Sequence, residues 1–280
     1  MTGRGESPGD DSRESRQSRE AGFTTGEQQR ATASADTVVI RTATGSFTAS
    51  GITHTTYTKG SGPGVIVVHE IPGITPKVLE FAERVVARGF SVVMPLLVGD
   101  VGRPPSGSYM GSSMAKICVS REFSTLAMGK SSPVVGWLRA LAKDVHGRVG
   151  GKGIGAVGMC FSGGFALGMM VDDVMVAPVL SQPSLPFAMG KARAGDLGLT
   201  AEEVVRVRER AEAGCQVLGL RYTGDKLVGT RFDSLRRLLG DAFIAVEFPS
   251  QAKSDHSVLT EQPQQVGIDK VLDFFDAKLK

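Results

Sequence analysis

From residue 65 to the C-terminus, short apolar and β-branched runs alternate with longer stretches of helical period. That alternation is the tightest constraint on the fold. The runs at 65–69 (VIVVH), 90–94, 154–159, 174–180, 216–222 and 243–248 are mostly continuous in their apolar character, as expected of strands covered on both faces. Between them, residues 76–88, 133–144, 163–171, 200–213, 231–239 and 263–279 read as helices. The helix at 76–88 presents Val78, Leu79, Phe81, Ala82, Val85 and Val86 and stops at Gly89. The one at 200–213 opens on Thr200 with Glu203 three residues on, a capping-box start. Strands linked through helices of this length pair in parallel by right-handed crossovers. The expected fold class is therefore α/β, a mostly parallel doubly wound sheet flanked by helices.

The chain outside this part is less regular. Two short strands are expected at 38–41 and 54–58. Residues 96–130 hold no clear pattern and are expected as a long loop of the kind that lines a site. Residues 1–36 are rich in Ser, Arg, Glu, Gln, Thr and Gly and nearly free of large apolar side chains. Such a segment cannot bury enough surface to offset its ordering entropy, so a disordered N-terminal tail precedes one domain at 37–280.

Composition narrows the function classes. No apolar run approaches the ~20 residues of a membrane span, and the N-terminus lacks the apolar core of a secretory signal. The cysteines, Cys118, Cys160 and Cys215, are odd in number and far apart. This argues against a disulfide framework or a zinc site and for a reducing, cytoplasmic location. With a net charge of +3 and no basic stripe interleaved with aromatics, nucleic-acid binding has little support. The expected partner is a small molecule, with no cofactor, no metal and no membrane.

The chemistry converges on residues 153–170, GIGAVGMCFSGGFALGMM. An apolar strand at 154–159 runs into a small-residue helix start, and Cys160 sits at the junction between Gly158 and Gly163–Gly164. A reactive side chain on a sharp strand-to-helix turn needs small neighbours, because the backbone there is strained and crowded. The same turn aims backbone N–H groups at whatever the side chain attacks. Three more polar groups fall at expected strand ends: Glu70, Asp225 and His256. In an open parallel sheet, ligands bind beyond the carboxyl ends of the strands. Cys160 is then the candidate nucleophile, His256 the base and acid, and Asp225 the group that orients the imidazole. The backbone N–H groups of Phe161 and Ile71 are candidates for the oxyanion site.

Other readings of these residues stand beside that one. Cys160 can be inert core, as Cys118 and Cys215 are expected to be. Ser162 is a second candidate nucleophile, His69 a second base, and Asp255 a second acid beside His256. Glu70 can be a buried ion-pair partner or a helix cap. His54 and His146 fall in segments expected at the surface.

These residues resemble the dienelactone hydrolases of the α/β-hydrolase fold. The resemblance is carried by His-Glu-Ile-Pro-Gly-Ile at 69–74, Gly-x-Cys at 158–160 with Gly163–Gly164 behind it, Gly-Asp at 224–225, and His256-Ser257. It implies a cysteine hydrolase with a Cys160–Asp225–His256 triad that opens a lactone or ester through an acyl-cysteine. It also implies that Glu70, at the position of the family's glutamate, manages the thiol's proton until substrate binds. The chain departs from the pattern at Ser162, where a glycine is usual, and at 96–98, Leu-Leu-Val instead of Asp-Leu-Tyr. The arginines that bind the substrate carboxylate have no aligned counterpart, which leaves Arg103 or Arg121, with Ser257, as substrate-binding candidates. A hydrolase-fold protein that binds without turnover, or a thioesterase or other acyl-transfer enzyme with the same triad, are the alternatives.

Overall fold

The computed structural model describes residues 43–123, 128–188 and 190–280. The tail expected over 1–36 and the strand expected at 38–41 lie outside these residues. Eight strands form one sheet in the order β1-β2-β4-β3-β5-β6-β7-β8. They are β1 (Ala43–Ala49), β2 (Ile52–Lys59), β3 (Gly64–Val68), β4 (Ser91–Leu96), β5 (Ile154–Met159), β6 (Met175–Ser181), β7 (Val217–Tyr222) and β8 (Phe243–Phe248). β1 pairs with β2, and β2 with β4, antiparallel. Every pair from β4 through β3, β5, β6 and β7 to β8 is parallel. The helices are α1 (Pro76–Ala87), α2 (Gly107–Val119), α3 (Pro133–Val149), α4 (Phe165–Met169), α5 (Lys191–Ala194), α6 (Ala201–Glu212), α7 (Arg231–Leu239) and α8 (Gln265–Leu279).

The side-chain alternation of the central strands builds two cores, one on each face. Ile66, Val68, Ile154 and Ala156 pack with α3, α4, α6 and α7 side chains, including the buried Trp137 and Phe232. Val65, Val67, Val157 and Met159 pack on the other face with α1 and α8, through Phe81, Val85, Val271 and Phe275. This is why the central strands read as unbroken apolar runs. Local signals start the helices: Thr75 caps α1 by accepting the Val78 N–H, ahead of Pro76. Thr200 and Glu203 form the reciprocal capping box of α6.

Several elements differ from expectation: β1 covers Ala43–Ala49, where no strand was expected, and the short α5 was not expected. Residues 107–119, read as part of a loop, are α2, whose buried residues Tyr109, Ser113 and Ile117 recur every four positions. Two glycines and three serines within it are weak helix formers, so packing rather than propensity forms this helix. α3 runs past Asp144 to Val149 because Val145 extends its buried face. The helix expected at 163–171 is a single 3-10 turn, Cys160–Ser162, followed by the short α4. His54 is not a free surface group: its Nε2 meets Glu122 at 3.0 Å, and its ring packs edge-on to Trp137 at 5.0 Å.

Candidate active site

β3, β5, β7 and β8 all point their carboxyl ends at one edge of the sheet, and the loops that follow carry Glu70, Cys160, Asp225 and His256. Cys160 begins its turn with φ +55°, a left-handed conformation that side chains other than glycine rarely adopt. The tightness of the turn explains two glycines. A Cβ on Gly158 would lie 2.1 Å from the Ser162 carbonyl oxygen, and one on Gly163 2.6 Å from the Ser181 carbonyl oxygen. Ser162, the departure from the family pattern, tightens the turn instead of loosening it. Its Oγ accepts the Met159 N–H at 2.9 Å and lies 3.0 Å from the carbonyl oxygens of Val68, His69 and Met159, to one of which it donates. Fully buried and engaged in this way, Ser162 ties the end of β5 to the end of β3 and is not free to attack a substrate.

His256 and Asp225 meet across the β7 and β8 loops. Nδ1–H of His256 donates to Asp225 Oδ2 at 2.6 Å, while Asp225 Oδ1 accepts the Leu227 N–H at 2.9 Å. Asp255, the neighbouring candidate, is turned the other way: its Oδ2 accepts the Gln251 and Ala252 N–H groups and caps its own loop. Nε2 of His256 is buried and has no hydrogen-bond partner among the described residues. Burial is the largest influence on this imidazole and lowers its pKa. The Asp225 hydrogen bond and the adjacent Cys160 sulfur more than offset that and carry it up to about 10.

His69, the other candidate base, has both nitrogens committed. Nδ1–H donates to the Glu70 carbonyl at 2.7 Å, and Nε2 accepts the Leu97 N–H at 3.0 Å. Its burial lowers its pKa to about 4, so it is neutral and structural, tying the end of β3 to the end of β4.

Glu70 is 3% exposed, and its carboxylate has only neutral donors. Ser257 Oγ donates to it at 2.8 Å, Gln182 Nε2 at 3.3 Å, and Thr260 Oγ1 also donates. Burial raises its pKa, while the Thr260 and Ser257 hydroxyls and the nearby His256 act in the opposite sense. No hydrogen bond joins Glu70 to Cys160 among the described residues; its partners instead hold the loop that carries His256. Gln262 completes that loop by accepting the N–H groups of Ser257 at 2.9 Å and His256 at 3.3 Å with its Oε1. Sequence reasoning missed Gln182, Thr260 and Gln262, because nothing in an isolated amide or hydroxyl shows that a distant loop folds over it.

Glu70, Ile71, Cys160, His256 and Ser257 line one cavity of about 670 Å3. Neither arginine candidate lines it. Arg103 is exposed, pairs with Asp100 at 2.9 Å and stacks 4.1 Å over the Tyr109 ring, and Arg121 lies in an exposed turn after α2. The structure thus brings neither arginine to the Cys160 cavity. The wall that they were expected to supply comes from α2, through Met110, Gly111 and Met114. Among the described residues, no three His, Cys, Asp or Glu side chains are grouped to hold a metal ion, and no helix is long and apolar enough to cross a membrane.

Comparison with known proteins bears on the fold and on the family. Residues 51–183 match the model of the dienelactone hydrolase family, a span that contains Glu70 and Cys160 and stops short of Asp225 and His256. No curated protein matches the chain in sequence. Among solved structures, the dienelactone hydrolase of Anabaena variabilis superposes with a TM-score of 0.57 at 12% identity, over 86% of this chain and 99% of that one. A cold-adapted esterase from an Arctic intertidal metagenomic library gives 0.53 at 17% identity, over 88% and 97%. A dienelactone hydrolase-like promiscuous phosphotriesterase from metagenomic libraries gives 0.57 at 16% identity, over 85% and 98%. At these identities the structures speak for the fold, which is that of the α/β-hydrolases. The chain is thus similar to the dienelactone hydrolases, in sequence over residues 51–183 and in fold over most of its length.

Proposed function

We propose that the chain hydrolyses esters or lactones through an acyl-cysteine formed on Cys160. The observation that carries this reading is the state of His256. Its Nδ1–H is held by Asp225 at 2.6 Å, and its buried Nε2 is left without a partner beside Cys160. A buried, unpaired ring nitrogen is costly unless it receives a proton or a hydrogen bond during function.

In this mechanism His256 already holds on Nε2 the proton that Cys160 has given up, and the thiolate attacks the carbonyl carbon. The carbonyl electron pair moves to oxygen, which in this reading the N–H groups of Phe161 and Ile71 stabilise. Collapse of the tetrahedral species breaks the carbon–oxygen ester bond, and His256 gives its proton to the leaving alkoxide. Water then adds to the thioester, with Nε2 accepting its proton, and expulsion of the Cys160 sulfur releases the acid. Asp225 fixes the tautomer throughout and stabilises the imidazolium. In this reading Glu70 acts through the loop that it holds, by Ser257 and Thr260, rather than on the thiol itself.

The test is Cys160→Ala, with turnover of p-nitrophenyl acetate and intact mass after acid quench as readouts. The reading expects loss of turnover by at least about 1,000-fold with the thermal transition kept, and an acetyl adduct on the parent protein that the variant lacks. Activity retained in Cys160→Ala would overturn it.

A further inference from the structure

We infer that the Cys160 cavity takes uncharged, apolar esters and rejects substrates that bring a free carboxylate to the wall facing the nucleophile. The inference rests on the acyl-transfer reading of Cys160 and goes beyond it to the substrate class.

The observation is the character of the lining. Among the described residues that line the cavity there is no Lys or Arg. The fixed charges that it does hold are acidic or balanced. Glu261 is an exposed carboxylate at the mouth, and Glu70 lies at the base with neutral donors only. His256, the one base among the described residues that line the cavity, is already matched by the Asp225 carboxylate and lies beside the Cys160 sulfur, while Lys226 and Lys253, exposed next to the lining residues Leu227 and Ser254 in the chain, do not line it. The nearby arginines are occupied elsewhere. Arg103 is paired with Asp100. Arg231 is buried and donates to backbone carbonyls, among them those of Asp196, Leu227 and Val228.

Apart from the uncharged Ser254, Ser257 and Gln262, the remaining wall is apolar, and part of it is open to solvent. Met110 and Met114, one helical turn apart on α2, are 47% and 36% exposed, and Leu227 is 52% exposed. All three line the cavity, with Ile71 and Pro105 beside them. Large apolar side chains left in water at the mouth of a cavity gain by covering an apolar ligand. Methionine suits that use, because its unbranched, polarisable chain adapts to different shapes. A carboxylate entering the same space would lose water, find no lysine or arginine in the described lining, and meet Glu261 and Glu70. The missing arginines are therefore not an alignment gap. The site is built for a different ligand charge.

The experiment compares p-nitrophenyl hydrogen adipate with its methyl ester, which differ in one terminal charge, with spontaneous hydrolysis subtracted. The expected kcat/KM is at least about 100-fold higher for the uncharged ester, the discrimination set by an unpaired carboxylate in a site without a cation. Met114→Arg should narrow that ratio by raising kcat/KM for the acid and lowering it for the methyl ester. Met110→Arg, on the same exposed side of α2, serves if the first variant does not fold. The dissociation constants of both compounds for Cys160→Ala are measured alongside, so that charge selectivity is read independently of catalysis. Equal or better turnover and binding of the acid would overturn the inference while leaving acyl transfer standing. Turnover retained in Cys160→Ala, with the binding preference intact, would overturn the mechanism and leave the substrate class.

Discussion

His69 and His256 sit at the same edge of the sheet, both buried or nearly so, and both use Nδ1–H as a donor, yet their pKa values move in opposite directions, to about 4 and about 10. The difference lies in their partners. His69 donates to a backbone carbonyl and accepts a backbone N–H, so no carboxylate compensates a charge, and burial outweighs the Glu70 carbonyl. His256 donates to a carboxylate, stands beside a sulfur, and keeps Nε2 unoccupied. A histidine with both nitrogens committed to backbone is a strut. One with a carboxylate on one nitrogen and nothing on the other is equipped to move a proton.

The sharpest way to break this comparison is to remove the carboxylate. Asp225→Asn keeps the shape but takes away the charge that holds the His256 proton, and should lower kcat about 10,000-fold. It should also move the alkaline limit of kcat/KM. In the parent protein His256 keeps its proton as the pH rises and loses it only towards about 10, so leaving-group protonation persists well above neutrality. In the variant that limb should shift to lower pH, and a pH–rate profile that stays in place would contradict the assignment.

His69 predicts the opposite pH behaviour, read in stability rather than in rate. Its folded pKa of about 4 lies below that of an unfolded histidine near 6.5. Between these values the unfolded chain binds more protons, so stability falls as the pH drops through that window. The loss amounts to about 3 kcal/mol, and denaturant melts at pH 6.5 and pH 4 of parent and His69→Gln should differ by it. The substitution should spare most of the esterase activity, because His69 is not part of the triad proposed here.

Glu70 sharpens the same contrast among the acids. Glu70→Gln keeps a carbonyl oxygen for Ser257 and Thr260 and is expected to cost less than about tenfold in kcat/KM. If Glu70 instead manages the thiol proton, the loss should approach that of Asp225→Asn. The smallest effect is expected from Ser257→Ala, which removes one of three donors to a buried carboxylate, about 1 kcal/mol of stability with kcat little changed.

Much of this arrangement was legible in the chain. The runs at 154–159, 231–239 and 243–248 coincide with β5, α7 and β8: β5 is buried along its whole length, α7 turns a repeating face with Phe232, Leu235 and Leu239 to the core, and β8, at the sheet edge, is only partly covered. The Cys160 turn was legible because its geometry excludes a Cβ at Gly158 and Gly163, so the constraint is written as glycine. α2 was not legible: its glycines and serines carry little propensity, and its buried residues show their period only against the core that covers them.

The order of strand ends, and with it the set of polar groups available at the edge, is a property of the one-dimensional pattern. The choice within that set is not. Asp255 stands next to His256 in the chain and faces its own loop, whereas Asp225, thirty-one residues away, reaches the imidazole. Ser162 looks like a free hydroxyl and is a buried cross-tie. Glu70, which the resemblance gives a role on the thiol proton, has Ser257, Thr260 and Gln182 as its hydrogen-bond partners. Hydrogen bonds and burial depend on where distant segments meet, and a contact between loops after β3, β6 and β8 leaves no periodic trace in any one of them.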